Sequence, residues 1–383
     1  MKHTLTLLSA LALLMPAGVQ ADEITPGPAK SESRPAVVAD RVSARPELTI
    51  TTIGFGSCAH EDRPLPIWDT INVAHCDAFV LCGDNIYGDS ADPLVLRKKY
   101  DLLGANPGFA KLREATPLFA TWDDHDYGIN DGGAGFPGAV AAQKEFCDFF
   151  HVPAASPLRT TPGVYDCVTL GPEGKRIQLI LLDTRAFRSP LKKDPASPKV
   201  TIPNNDPGAT VLGEAQWAWL ERRLREPAEL RVVVSSIQVI ATDHGSEKWE
   251  NFPNERARFF ELLRRTEAQN VVVISGDRHL AELSALTPAD GVPYPLYDMT
   301  TSGLNLVVSQ KPQPTAPDAK PAVPKKPQIN RFRLHENPYT KSNFGLLRIK
   351  WDGPSPSLRM EVCGLEGEVV LSREIAFSEI RSK

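Results

Sequence analysis

No charge of either sign dominates this chain. Its 43 basic and 47 acidic side chains leave a formal net charge of −4 over 383 residues. Nothing in that balance builds the basic face a nucleic-acid binder needs, so nucleic acid is not expected as a stable partner. Long apolar runs are scarce as well. The most apolar stretch, residues 5–15, is too short to span a bilayer, and no membrane span is expected. It follows Lys2 and His3 and precedes the small residues Val19 and Ala21, the layout of a cleavable secretory signal over residues 1–21. No cysteine lies near that cleavage point, so a lipid-anchored start is not expected. The expected location is therefore periplasmic or secreted.

Zinc-type spacing is also lacking. The six cysteines, Cys58, Cys76, Cys82, Cys147, Cys167 and Cys363, include no C-x-x-C pair, and a domain of this size needs no stapling by disulfides. Cys76 and Cys82 stand six residues apart on one extended segment, roughly 20 Å, so they cannot bond each other. There is no internal repeat of solenoid period. With 42% hydrophobic residues, the chain suffices for one large domain or two modest ones with a real core.

What is present is organised around residues 77–89, DAFVLCGDNIYGD. Residues 78–82 are apolar and too few for a stable helix, so they read as a strand buried on both faces. Asp84 and Tyr87 then fall on the loop at its carboxyl end, where open α/β sheets bind ligands. Taken alone, Asp84 reads sooner as an N-cap in a tight turn beside a packing tyrosine. The same pattern recurs, however. Strands predicted over 48–55, 117–122, 231–237 and 270–275 run into Cys58, into Asp123 to Asp126, into Gln238, and into Asp277 and His279. Helices are predicted over 66–74, 94–100, 108–114, 139–150, 213–225 and 254–265, and a hairpin over 164–170 and 177–182. Further strands are predicted over 281–285, 296–300, 344–351 and 358–362. Residues 22–47 read as a disordered leader, 189–210 as an exposed excursion, and 309–330 as a Pro/Lys-rich surface loop, with six prolines between 311 and 328.

A thiol, a phenol, imidazoles and several carboxylates gathered at one sheet edge repel one another unless cations neutralise them. Two metal ions resolve this: a pair about 4 Å apart clamps a phosphate, makes hydroxide from bound water near neutral pH, and stabilises both oxygens of an in-line displacement.

Eight segments carry a resemblance. FGSC (55–58), GDNIYGD (83–89), TWDDHDYGIND (121–131), LDTR (182–185), LGEAQWAWL (212–220), SSIQ (235–238), SGDRHLAE (275–282) and TSGLN (301–305) together resemble the PhoD-like alkaline phosphatase and phosphodiesterase family. The resemblance implies an α/β fold over 48–375, the four-layer αββα sandwich of the calcineurin-like metallophosphoesterase type, with a dinuclear centre between its sheets. It implies Cys58, Asp84, Tyr87 and His279 around Fe3+, Asp84 as the bridge, and Asp124 and Asp277 on Ca2+ or another divalent metal. His125 is implied at the leaving oxygen, and Arg278 is the candidate for holding a phosphate oxygen through its planar fork. The activity implied is that of an exported alkaline phosphatase or phosphodiesterase acting on phosphate esters through a metal-bound hydroxide, as a monomer. A phospholipase or teichoic-acid-type phosphodiesterase is one alternative and a non-catalytic, metal-stabilised cell-envelope protein another. The usual histidine of the fourth motif is replaced by Gln238, either an outer-shell group or a weak ligand. Asp183 and Arg185 are expected to form a buried ion pair, and His244 to be a solvated loop residue.

Overall fold

Strand β2, Ala78–Cys82, shows why the chain folds in layers. Its alternate side chains point to opposite faces. Ala78, Val80 and Cys82 pack into one core with Ile53 and Phe55, whereas Phe79 and Leu81 pack into another with Trp68, Phe109 and Tyr100. A strand with two apolar faces has to lie between two layers, and this one does.

The computed structural model describes residues 47–308, 328–353 and 355–382. The expected signal over 1–21, nearly all of the leader over 22–47, and residues 309–327 of the surface loop lie outside these. Two six-stranded sheets face each other. The first has the order β14-β13-β12-β1-β2-β3, and the second β10-β11-β9-β8-β5-β4. In the first, β1 (Thr52–Gly56), β2 and β3 (Leu118–Thr121) are parallel. They continue antiparallel into β12 (Asn343–Lys350), β13 (Ser357–Gly364) and β14 (Val369–Ala376). In the second, β5 (Ile177–Leu181), β8 (Leu230–Ser235), β9 (Val271–Ser275) and β11 (Leu296–Thr301) are parallel. Antiparallel β4 (Asp166–Leu170) and β10 (Ala281–Leu286) close its edges.

Helices α1 (Ile67–Val73), α2 (Pro93–Ala105) and α3 (Pro107–Ala115) send Trp68, Tyr100, Leu103 and Phe109 into the core behind β2. Asp92 and Asn106 cap α2 and α3 by accepting backbone N–H bonds, with proline at the first helical position of each. The short α4 (Asp124–Tyr127) follows β3, and α5 (Ala139–Phe149) adds Phe146 to the same core. On the other side, α6 (Gly213–Leu224) and α7 (Pro253–Thr266) contribute Trp217, Leu220, Leu224, Phe259 and Leu263 to the core shared with the second sheet. The result is the four-layer αββα sandwich. Among the described residues no helix is long and apolar enough to cross a membrane.

Two expectations are corrected. The excursion over 189–210 contains an antiparallel ribbon of β6 (Lys192–Asp194) and β7 (Ser197–Ile202), tethered where the Thr201 N–H donates to the Gly245 carbonyl at 2.7 Å. Strand β14 was not predicted, because as a largely exposed edge strand it carries charge where a core strand carries apolar alternation. All six cysteines are free.

Candidate metal centre

Three parallel strands of one sheet and four of the other finish at the same rim, and the turns after β1, β2 and β9 hold residues that leave the sheet sharply. Cys58, Asp84, Asp277 and His279 all have positive φ, at 64°, 49°, 67° and 56°. Non-glycine residues occupy that region at a cost of about 1–3 kcal/mol each and keep it only where surrounding bonds impose it. Those bonds are visible. Cys58 and Ala59 donate their N–H groups to the carbonyls of Gly83 and Asp84, at 3.3 and 2.9 Å, and the His279 N–H donates to Ser302 Oγ at 2.6 Å. Ser57, past the end of β1, bridges to Ser302, past the end of β11, and so ties the two sheets together beside the turns. Glycine is required at this crossing. A Cβ on Gly276 would stand 2.5 Å from Ser57 Oγ, and one on Gly83 would stand 2.6 Å from the Asp123 Cβ.

The donors fall into overlapping groups. Cys58, Asp84 and His279 offer ligand atoms within 4.8 Å of one another; so do Asp84, Asp124 and His125, and so do Asp123, Asp124 and Asp277. Asp84 belongs to the first two and Asp124 to the last two. Asp84 Oδ2 accepts from the Cys58 thiol at 3.3 Å and from the Tyr87 hydroxyl at 3.2 Å, and Tyr87 Oη lies 3.1 Å from His279 Nε2. The Tyr87 ring is flanked by His60, stacked at 4.8 Å, and by His125, tilted at 4.3 Å.

Burial sets the electrostatics. It pushes the Asp84 carboxyl well above its usual range, helped by Asp124, and it does the same to Asp277, helped by Asp123. Burial, then Asp84, also raises Cys58 and Tyr87. Asp123 is pushed up to about 7 by burial, against the pull of Arg185. Burial acts on Asp124 in the same sense, but Arg185 and His125 outweigh it and hold that group low. Burial opposes charge on His125, yet Asp84 and the Asp89 hydrogen bond raise it to about 10. Asp123 Oδ2 and Asp124 Oδ1 are buried with no hydrogen-bond partner. Orphaned acceptors of this kind are costly, and a cation satisfies them. The chemistry of the donors fits two different ions. A thiol, a phenol and an imidazole around Asp84 suit a transition metal, and the all-carboxylate set of Asp123, Asp124 and Asp277 suits a hard cation.

The surroundings correct several expectations. Arg185, wholly buried, pairs with Asp123 and, at 2.6 Å, with Glu247, not with Asp183. Asp183 instead accepts the backbone N–H groups of Val164, Arg185 and Ala186 at 2.8 to 2.9 Å, so local backbone captures its carboxylate. Gln238 joins none of the three donor groups. It donates to Glu282 and Thr300 and meets His244 Nε2 at 2.9 Å, which leaves His244 bonded and half-buried rather than solvated. The Asp131 N–H donates to Asp124 Oδ2 at 2.6 Å. Sequence reasoning gave no role to Ser302, although TSGLN contains it, nor to Asp89, which holds His125 Nδ1 at 2.7 Å. A cleft of about 320 Å³ opens onto Asp124, His125, Asp277, Arg278 and His279.

Residues 138–352 match the family model of the PhoD-like phosphatase. Alkaline phosphatase D of Bacillus subtilis (strain 168) is 23% identical to this chain over 197 residues, 45% of this chain and 32% of that protein, so the match spans about a third of that relative's length. The solved structure of PhoD superposes with a TM-score of 0.62 at 17% identity, over 86% of this chain and 69% of that one, a likeness of fold.

Proposed function

Since this chain belongs to the PhoD-like phosphatase family and has the metallophosphoesterase sandwich, we propose that it is an exported, metal-dependent hydrolase of phosphate esters. The observation that carries this reading is the sharing of Asp84 and Asp124 between donor groups, with Asp124 also lining a cleft that presents Arg278 and His125. Cys58, Asp84, Tyr87 and His279 would hold Fe3+, and Asp84, Asp124 and Asp277 would hold Ca2+. Bound there, the ions supply charge neutralisation at phosphorus and a water acidified to near neutral pH.

The chain's own residues do the rest. Arg278, whose Nη2 donates to Gln328 Oε1 at 2.5 Å, offers the remainder of its fork to phosphoryl oxygens. His125 is anchored through Nδ1 by Asp89, leaving Nε2 to give a proton to the departing alkoxide. If His125 has that role, His125→Asn lowers kcat for an alkyl phosphate by about 10²-fold or more, but lowers it far less for p-nitrophenyl phosphate, whose leaving group needs no proton. Equal losses on both substrates count against the assignment.

The whole reading is tested by hydrolysis of p-nitrophenyl phosphate and of its bis-ester, with calcium and with chelator. Turnover that depends on metal is expected, and the ratio of the two substrates separates monoesterase from diesterase. Failure of both, with the metals loaded, would leave the non-catalytic envelope protein. Tyrosinate bound to ferric iron absorbs visible light, so the native protein is expected to be coloured and Tyr87→Phe to bleach it. An unaltered spectrum in Tyr87→Phe would place the iron elsewhere.

A further inference from the structure

The cleft has a second wall that the hydrolytic reading does not use. In the β6–β7 ribbon Lys193 pairs in register with Thr201, and Lys199, two residues before Thr201, presents its side chain to the same face. All three line the cleft that holds His125 and Arg278. Its volume, about 320 Å³, is that of a site for a small organic molecule and exceeds what a terminal phosphoryl group fills.

The charges along this wall do not cancel. Lys193 Nζ lies 2.6 Å from Asp131 Oδ2 and 3.2 Å from Thr201 Oγ1. Lys199 is exposed and has no acidic partner among the described residues. Of the other carboxylates on the cleft, Asp124 and Asp277 face the donor groups, and Glu247 is neutralised by Arg185 and Arg188. The excess on this side of the cleft is therefore positive, and it is carried by a lysine on a ribbon, a compact charge on a flexible stem that meets anions of more than one geometry.

We infer that Lys199, with Lys193, forms a second anion subsite, and that the preferred substrates are phosphate esters whose leaving group carries a further anionic group, a carboxylate or a second phosphate. This rests on the phosphoesterase reading and names its substrate class.

Three phosphate esters on the same three-carbon skeleton test it: glycerol 3-phosphate, 3-phosphoglycerate and glycerol 1,3-bisphosphate, assayed by phosphate release with the metal-loaded full chain. The two esters with a second anionic group are expected to show kcat/KM about tenfold above glycerol 3-phosphate, through KM, as one charge-assisted contact gives. The advantage should shrink as salt rises. In Lys199→Gln, an exposed substitution, it should collapse while glycerol 3-phosphate is hydrolysed as before. A gain confined to one of the two esters tells carboxylate from phosphate. Equal kcat/KM for all three, or a preference kept in both Lys199→Gln and the K193Q/K199Q pair, overturns the subsite while leaving the phosphoesterase standing. No hydrolysis of any ester overturns the parent reading and the subsite with it.

Discussion

Asp84→Asn is expected to lower kcat for p-nitrophenyl phosphate by about 10²- to 10³-fold or more, the scale of removing a preorganised electrostatic group from an active site, while the fold survives. Asp84 is the one side chain whose carboxylate belongs both to the group with Cys58 and His279 and to the group with Asp124 and His125. An amide keeps its size and removes the charge that both groups share. The stability consequence is opposite in sign. In metal-free protein Asp84 is buried against Asp124, which disfavours its charge, so the amide relieves repulsion and the chelated variant should melt no lower than chelated wild type. Only the wild type should then gain a large increment when metal is added, because binding to the native state stabilises by mass action. Melting curves of both proteins, with chelator and with metal, check this. A variant that keeps a tenth of the activity, or that gains the same metal-dependent increment, would remove Asp84 from its bridging place.

Arg185→Met should cost about 3–5 kcal/mol of stability, the usual penalty for leaving a buried charge without its partner. The guanidinium is wholly enclosed, with Asp123 on one side and Glu247 on the other, and also donates to the Gly132 carbonyl at 3.2 Å. Glu247 retains Arg188 at 2.7 Å, so the stranded group is Asp123. The double variant D123N/R185M should therefore recover part of the loss, since the two sites are coupled. Lys193→Gln, at a half-exposed pair with Asp131, should stay within about 1 kcal/mol. Denaturant midpoints for the four proteins give the comparison, and an Arg185→Met midpoint no lower than that of Lys193→Gln would show that the buried pair contributes little.

The layers of the fold were legible because their strands carry their own evidence. The apolar runs at Ala78–Cys82 and Val271–Ser275 are too short for helices and too apolar for exposed strands, and each is buried along its whole length. The convergence of Cys58, Asp84, Asp277 and His279 was legible for a related reason: each lies just past the carboxyl end of such a run, and parallel strands bring those ends together. Features set by partners distant in sequence were not. Arg185 was assigned to Asp183 by nearness along the chain, whereas its partners lie 62 residues away in either direction. The positive φ at these four non-glycine residues has no signature in composition. The ribbon that bears Lys193 and Lys199 was missed because its residues are half-exposed and rich in lysine and proline, with no apolar alternation to mark a strand.

Cations must draw these donors together for the site to work, and elemental analysis of the natively purified protein tests that most directly. It should find close to one iron and one calcium per chain, with the pair reduced in Asp84→Asn. Protein that is fully active on phosphate esters yet free of stoichiometric metal would contradict it.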